Sequence, residues 1–146
     1  MKIYVLNGPN LNLLGIREPG IYGSESYESL LRKIETYCLS VGIEVVFFQS
    51  NHEGALVDKI HEAFFEGADG IVINPGAYTH TSIALLDAVK ATSLPTVEVH
   101  ISDVGAREEF RQVSYIRLAA IGTISGQGTD GYLRAIDLLV SHIKES

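Results

Sequence analysis

The sequence predicts one doubly wound α/β domain: a parallel sheet of five strands with helices on both faces. Three observations carry this. Short apolar, β-rich runs recur along the chain, stretches of helical periodicity lie between them, and Asn- and His-rich polar residues gather where the runs end. The 146 residues suit a single domain, 1–146, and 46% hydrophobic against 20% charged content supports a core and excludes disordered or coiled-coil classes.

The runs at 3–6, 43–48, 70–74, 95–100 and 118–124 lack the strict alternation of a strand with one wet face, so they read as buried on both faces. Between the first two, Tyr27, Leu30, Leu31, Ile34 and Cys38 share a helical face. Leu56, Ile60, Ala63 and Phe64 share another, after Ser50 and Glu53 at the spacing of a capping box. A third helix is predicted over about 79–91. The last is clearest, with Tyr132, Ala135, Ile136, Leu139, Val140 and Ile143 at offsets 0, 3, 4, 7, 8 and 11. Right-handed crossovers leave few topologies for this order, and the flavodoxin-like strand order 2-1-3-4-5 is the simplest.

A net charge of −7 argues against nucleic acid or an acidic membrane as partner, so an anionic ligand must be caught by local arginines or backbone N–H groups. The single cysteine, Cys38, cannot form an internal disulfide, and the opening apolar run breaks at Asn7-Gly8-Pro9, before a signal-peptide core is complete. No apolar run approaches the roughly 20 residues of a membrane span. The chain reads as cytoplasmic.

Ligands of such sheets bind outside the carboxyl ends of the strands, here 7–10, 49–52, 74–80, 98–103 and 126–128. The connection 7–24 is about 18 residues long where two to six are usual, as in lids over active sites. Within it, Arg17 could stabilise a Tyr22 phenolate, which is otherwise scarce below a pKa of about 10. The plain alternative is a packed Tyr22 and a solvated Arg17. Glu98 and His100, two apart on a strand, share a face, so the carboxylate could orient the imidazole for acid/base work; an incidental surface pair is the alternative. Asn74 and His80 flank a turn entering a helix whose N–H groups could hold a carboxylate. Thr79 as a helix cap and Pro75-Gly76 as a bare turn explain the same residues. Ser102 could donate to an anion or cap a turn. Arg107 and Arg111 suggest a short helix with two cations on one side, commonly a solvated face.

Gly126-Gln127-Gly128-Thr129-Asp130-Gly131 matches a dinucleotide-binding pattern, but no further strand with a ribose-binding acid follows. These glycines are assigned to turning and helix packing. His52, His61, His80, His100 and His142 show no metal-ligand spacing, and the lysines fall away from the strand ends, so neither a metal nor an imine mechanism is expected.

Five segments in register over nearly the whole chain then become informative. They are Leu6-Asn7-Gly8-Pro9-Asn10-Leu11-Asn12-Leu13-Leu14-Gly15; Glu18-Pro19 with Tyr22-Gly23; Gln49-Ser50-Asn51-His52-Glu53-Gly54; Ile73-Asn74-Pro75-Gly76-Ala77-Tyr78-Thr79-His80-Thr81-Ser82; and Glu98-Val99-His100-Ile101-Ser102. Together they resemble the type II 3-dehydroquinate dehydratases. The resemblance implies a flavodoxin-like lyase that converts 3-dehydroquinate, a small anion, to 3-dehydroshikimate through an enolate, in the shikimate or quinate pathway, without cofactor or metal. It makes Tyr22 the base, with Arg17 lowering its pKa, and Asn10 the holder of a water that stabilises the enolate. His100, oriented by Glu98, becomes the acid that protonates the leaving hydroxyl. Asn74, Ser102 and the backbone at Ile101 become the carboxylate site, His80 and Arg111 ligands of ring hydroxyls, and Asp87 a contribution from a neighbouring subunit in a trimer-based dodecamer. The chain departs from the family at Asp103, Gly105, Gln112, Val113 and Leu86; of these, Asp103 adds charge near the anion site, and Leu86, with Arg117, bears on subunit contacts. The rival reading from another class is a flavodoxin-like nucleotide or FMN module; a third is a structural oligomerisation domain.

Overall fold

A computed structural model describes residues 1–16 and 25–146. Arg17, Tyr22 and the second half of the predicted lid lie outside the described residues. The elements are β1 (Lys2–Asn7), α1 (Tyr27–Ser40), β2 (Glu44–Gln49), α2 (Glu53–Phe65), β3 (Gly70–Asn74), α3 (Ile83–Thr92), β4 (Thr96–His100), β5 (Gly122–Ser125) and α4 (Asp130–Lys144). All strand pairs are parallel, in the order β2-β1-β3-β4-β5. That is the predicted flavodoxin-like topology.

The central strands β1, β3 and β4 lack alternation because both their faces are buried, while the edge strands β2 and β5 are only partly covered. Ile3 and Val5 of β1 pack with Val72, Val97 and Val99 under α1 and α4, whose Leu30, Ile34, Tyr132, Ile136 and Leu139 close that layer. Tyr4 and Leu6, pointing the other way, meet Ile71 and Ile73 under Leu56 and Ile60 of α2 and Leu85 and Val89 of α3. Register brings Asn7 level with Gln49 on one side and Asn74 on the other, and His100 level with Ser125. A row of polar side chains therefore stands at one end of an apolar sheet.

Four local expectations fail. No capping box forms: His52 is the N-cap of α2 without a side-chain bond, and the Ser50 hydroxyl instead accepts the His52 N–H. The third helix does not begin at Thr79. A 3₁₀ stretch, Gly76–His80, comes first, and α3 starts after Ser82, whose hydroxyl caps the Leu85 N–H at 3.0 Å. The fifth strand is shorter than 118–124, because Ile116–Leu118 is 3₁₀ with Leu118 exposed, and pairing with β4 begins at Ile121 N–H to Thr96 O. Arg107 and Arg111 do not share a helix; they fall at the ends of two 3₁₀ stretches, Val104–Ala106 and Glu109–Arg111. The described part of the 7–24 connection contains a 3₁₀ turn, Leu11–Leu13, and buries Leu11 and Leu14.

Candidate active site

Two loop ends meet where β1 and β3 stop. Gly8 N–H donates to Asn74 O at 2.8 Å, and a Cβ on Gly8 would stand 2.4 Å from Pro75 O, so only glycine lets the backbones approach this closely. Asn10 then adopts φ 69°, a left-handed conformation that Asn tolerates, and its N–H donates to Asn51 Oδ1. Gln49 Nε2 donates to Gly8 O and to Asn51 Oδ1, while Tyr78 Oη donates to Asn51 O. The β2 end thus braces the loop that carries Asn10.

Asn74 is fixed at both ends of its amide. Its Oδ1 accepts Gly76 N–H at 3.1 Å and its Nδ2 donates to Tyr132 Oη at 3.0 Å. Tyr132 Oη donates to Asn7 Oδ1 at 2.6 Å, and Asn7 Nδ2 donates to Tyr27 Oη at 3.5 Å. Burial holds the Tyr132 phenol well above its ordinary pKa, against the Asn74 bond, so it stays neutral. This leaves Asn74 with one amide hydrogen beyond the Tyr132 bond.

Glu98, fully buried, is the charge at the centre of the site. Its Oε2 lies 2.5 Å from His100 Nε2, 2.6 Å from Thr79 Oγ1 and 2.8 Å from Ser114 Oγ; its Oε1 accepts Arg117 Nε at 3.2 Å and Thr123 Oγ1 at 3.0 Å. Burial pushes its pKa up, but the His100, Thr79 and Ser114 bonds outweigh that and bring it down to about 2. Glu98 is therefore ionised and takes the His100 Nε2–H, which leaves Nδ1 as the imidazole's second nitrogen at the cavity. His80 is oriented the other way round: its Nδ1–H donates to Val113 O at 2.7 Å. Burial lowers its pKa against that bond, with Arg111 and His100 adding to the effect, so the neutral ring presents Nε2 as an acceptor.

Beyond β4, Ile101 O accepts Gly128 N–H, and Ser102 O accepts Gly126 N–H and Ser125 Oγ–H. Gly126 (φ 76°) and Gly128 (φ 62°) make the tight return, and Gly131 packs on Val99 and Ile124. The glycine run is thus the buttress of the 101–102 loop, as its turning-and-packing assignment expects. Arg111 Nε donates to Glu108 Oε2 at 2.7 Å, and Arg107 approaches the same carboxylate at 3.9 Å.

These elements enclose a cavity of about 130 Å³. Of the predicted residues, Asn10, Asn74, His80, His100, Ile101, Ser102 and Arg111 line it, with Glu98 behind His100. Asp87 is exposed on α3 and outside that lining; Arg17 and Tyr22 lie outside the described residues. Arg107, read as solvated, lines the cavity. The spacing of Arg107 and Arg111 was its only signal. Thr79, Ser114, Arg117, Thr123 and Tyr132 hold Glu98 and Asn74 from behind, and nothing in their local sequence marks them. Of the departures, Asp103 accepts Gly105 N–H and is not among the residues lining this cavity, and Leu86 is buried. Arg117, half exposed, bonds Glu98.

The geometry amounts to a carboxylate-held imidazole facing cationic and amide donors in a small polar cavity. Comparison with known proteins agrees with it. The family model for dehydroquinase class II matches residues 1–140. A 3-dehydroquinate dehydratase of Caldicellulosiruptor bescii is 59% identical over 92% of this chain and 93% of its own, and one of Clostridium perfringens is 54% identical over 99% of each. The crystal structure of a type II dehydroquinase from Butyrivibrio crossotus, 59% identical, superposes with a TM-score of 0.95 over 96% of this chain and 97% of its own. The chain belongs to the class II dehydroquinases.

Proposed function

We infer that this chain dehydrates 3-dehydroquinate to 3-dehydroshikimate, a step of the shikimate pathway. The observation that carries the reading is the Glu98–His100 pair at the edge of a cavity that also presents Asn74, Ser102 and Arg111. The reaction removes a proton from the carbon beside the ketone and a hydroxyl from the next carbon, giving a conjugated enone and water. His100, protonated on Nδ1 while Glu98 holds Nε2, delivers a proton to the departing hydroxyl oxygen as the C–O bond breaks. Asn74 and Ser102 receive the carboxylate, and neutral His80 accepts a hydrogen bond from a ring hydroxyl, beside Arg111. Tyr22 is the base that takes the carbon-bound proton, assisted by Arg17, and Asn10 positions a water against the enolate oxygen. The segment 7–24 acts as a lid that brings Arg17 and Tyr22 to the cavity.

The working assembly is a trimer, further packed into a dodecamer, in which Asp87 of one subunit serves a neighbour's site. The enzyme is cytoplasmic; among the described residues no helix is long and apolar enough to cross a membrane. The decisive experiment is to mix purified protein with 3-dehydroquinate and follow the ultraviolet absorbance of the enone. A rise that depends on His100 supports the reading. No product from well-folded oligomer, or a yellow, flavin-bearing protein, sinks it.

A further inference from the structure

Glu98 looks two ways. Its Oε2, held by Thr79 and Ser114, reaches the catalytic cavity through His100, whereas its Oε1 is held by Thr123 and Arg117, which line a second, more open cavity together with Asp103, Arg111, Gln112 and Ser125. Two donors hold Oε1 there: the neutral Thr123 hydroxyl and the Arg117 guanidinium, which is half exposed where Glu98 is fully buried. The charge balance across the reaction makes the second donor important. While His100 carries both protons, carboxylate and imidazolium compensate each other. Once Nδ1 has surrendered its proton, the nearest positive charge is gone, and a buried carboxylate without a counter-charge is costly. A guanidinium keeps its charge at every working pH.

We propose that Arg117 is a positioning residue for the dehydration, supplying the permanent counter-charge that keeps Glu98 ionised and turned to His100 through both protonation states of the imidazole. The inference rests on the reading of His100 as the acid. The other charged or titratable groups around the pair are His80 on the 3₁₀ stretch after β3 and Arg107 and Arg111 on the loop after β4, both of them bridged to Glu108, with Asp103 lining the second cavity beside Arg117. Glu108 partly offsets Arg107 and Arg111. Arg117 touches Glu98 directly.

The test compares wild type with Arg117→Met and Arg117→Lys, all changed at a half-exposed position that should not prevent folding. Turnover is measured against pH, and thermal midpoints are measured from pH 7 to pH 2.5. For Arg117→Met, kcat is expected to fall about 3- to 30-fold with KM changed less, and the basic limb of the kcat profile to move to higher pH by about half a unit to one unit, because the pair binds its proton more tightly. Its thermal midpoint should be lower than that of wild type near neutral pH, and the difference should hold until pH falls through the variant's own folded Glu98 pKa and then shrink toward pH 2, because Glu98 is protonated first in the variant. Arg117→Lys should recover most of each effect. A Met variant with unchanged kcat and pH profile overturns the proposal. So does a midpoint difference that is the same at every pH, which is what loss of packing alone gives. If wild type itself fails to dehydrate 3-dehydroquinate, the functional reading falls, while the midpoint series still decides whether Arg117 supports the Glu98 charge.

Discussion

Glu98 has the most at stake of any single side chain, because it is charged, fully buried and bonded from four elements or loops besides its own strand neighbour His100. Its folded pKa of about 2 lies below the ordinary 4.5, so its stabilising contribution is complete above about pH 4.5 and is lost as pH falls toward 2. Glu98→Gln should therefore flatten the acid limb of stability, remove on the order of 3 kcal/mol at pH 7 and lower kcat, as checked by denaturant titration across pH. Retention of the wild-type acid limb in that variant would show that another group sets it. His100→Ala should lower kcat by about 10²- to 10⁴-fold while KM changes less, since the proton is delivered only as the bond breaks; an effect confined to KM would make His100 a substrate ligand. The pairing of these two residues was legible in the sequence because a strand's period of two puts them on one face. The partners of Glu98 were not, since Thr79, Ser114, Arg117 and Thr123 come from 16 to 25 residues away and meet only in the folded chain.

Helices and strands were legible because their apolar patterns answer to burial on both faces of one sheet, and their ends were less so. Thr79 had the composition of a cap, but a buried carboxylate outbids an N-cap for its hydroxyl, and Ser82 caps α3 instead. Leu118 reads as strand by its side chain, yet the turn at Ile116–Leu118 must bring Ser114 and Arg117 to Glu98 before the chain can enter β5. Two substitutions check this view of the loops. Ser82→Ala removes the cap of α3 at a buried site and should cost about 1 kcal/mol in equilibrium unfolding with little change in KM. Gly8→Ala should do more, since its methyl would strike Pro75 O at 2.4 Å and force apart the two loops that carry Asn10 and Asn74. The expected result is a loss of about 2 kcal/mol or more together with a raised KM; a normally active, normally stable Gly8→Ala protein would mean the close approach is dispensable.

Among the described residues, the predicted participant Asp87 stands apart from the cavity of its own chain. Asp87 is exposed four residues, about 6 Å, into α3, and it is not among the residues lining the cavity of its own chain. Sequence reasoning, which began this helix at Thr79, placed it further down; the break at Thr81 and Ser82 shortens that distance without bringing Asp87 into the cavity. One turn before it stands Ile83, 54% exposed, and α3 packs against the 3₁₀ stretch that exposes Leu118 at 72%. An exposed carboxylate one turn from a large exposed apolar side chain is compatible with cover by a second copy of the chain, although scattered apolar exposure alone is ordinary. Mixing separates the two. Asp87→Ala and Tyr22→Phe chains, each expected to be nearly inactive, should regain part of the activity when unfolded and refolded together, because some mixed sites draw intact Tyr22 and Asp87 from different subunits. Activity should rise with the fraction of mixed oligomers, measured by mass, and should not rise when the folded parents are mixed without exchange. If verified mixed oligomers stay as inactive as their parents, or if Asp87→Ala alone turns over at the wild-type rate, each chain works with its own residues and Asp87 serves no neighbour's site.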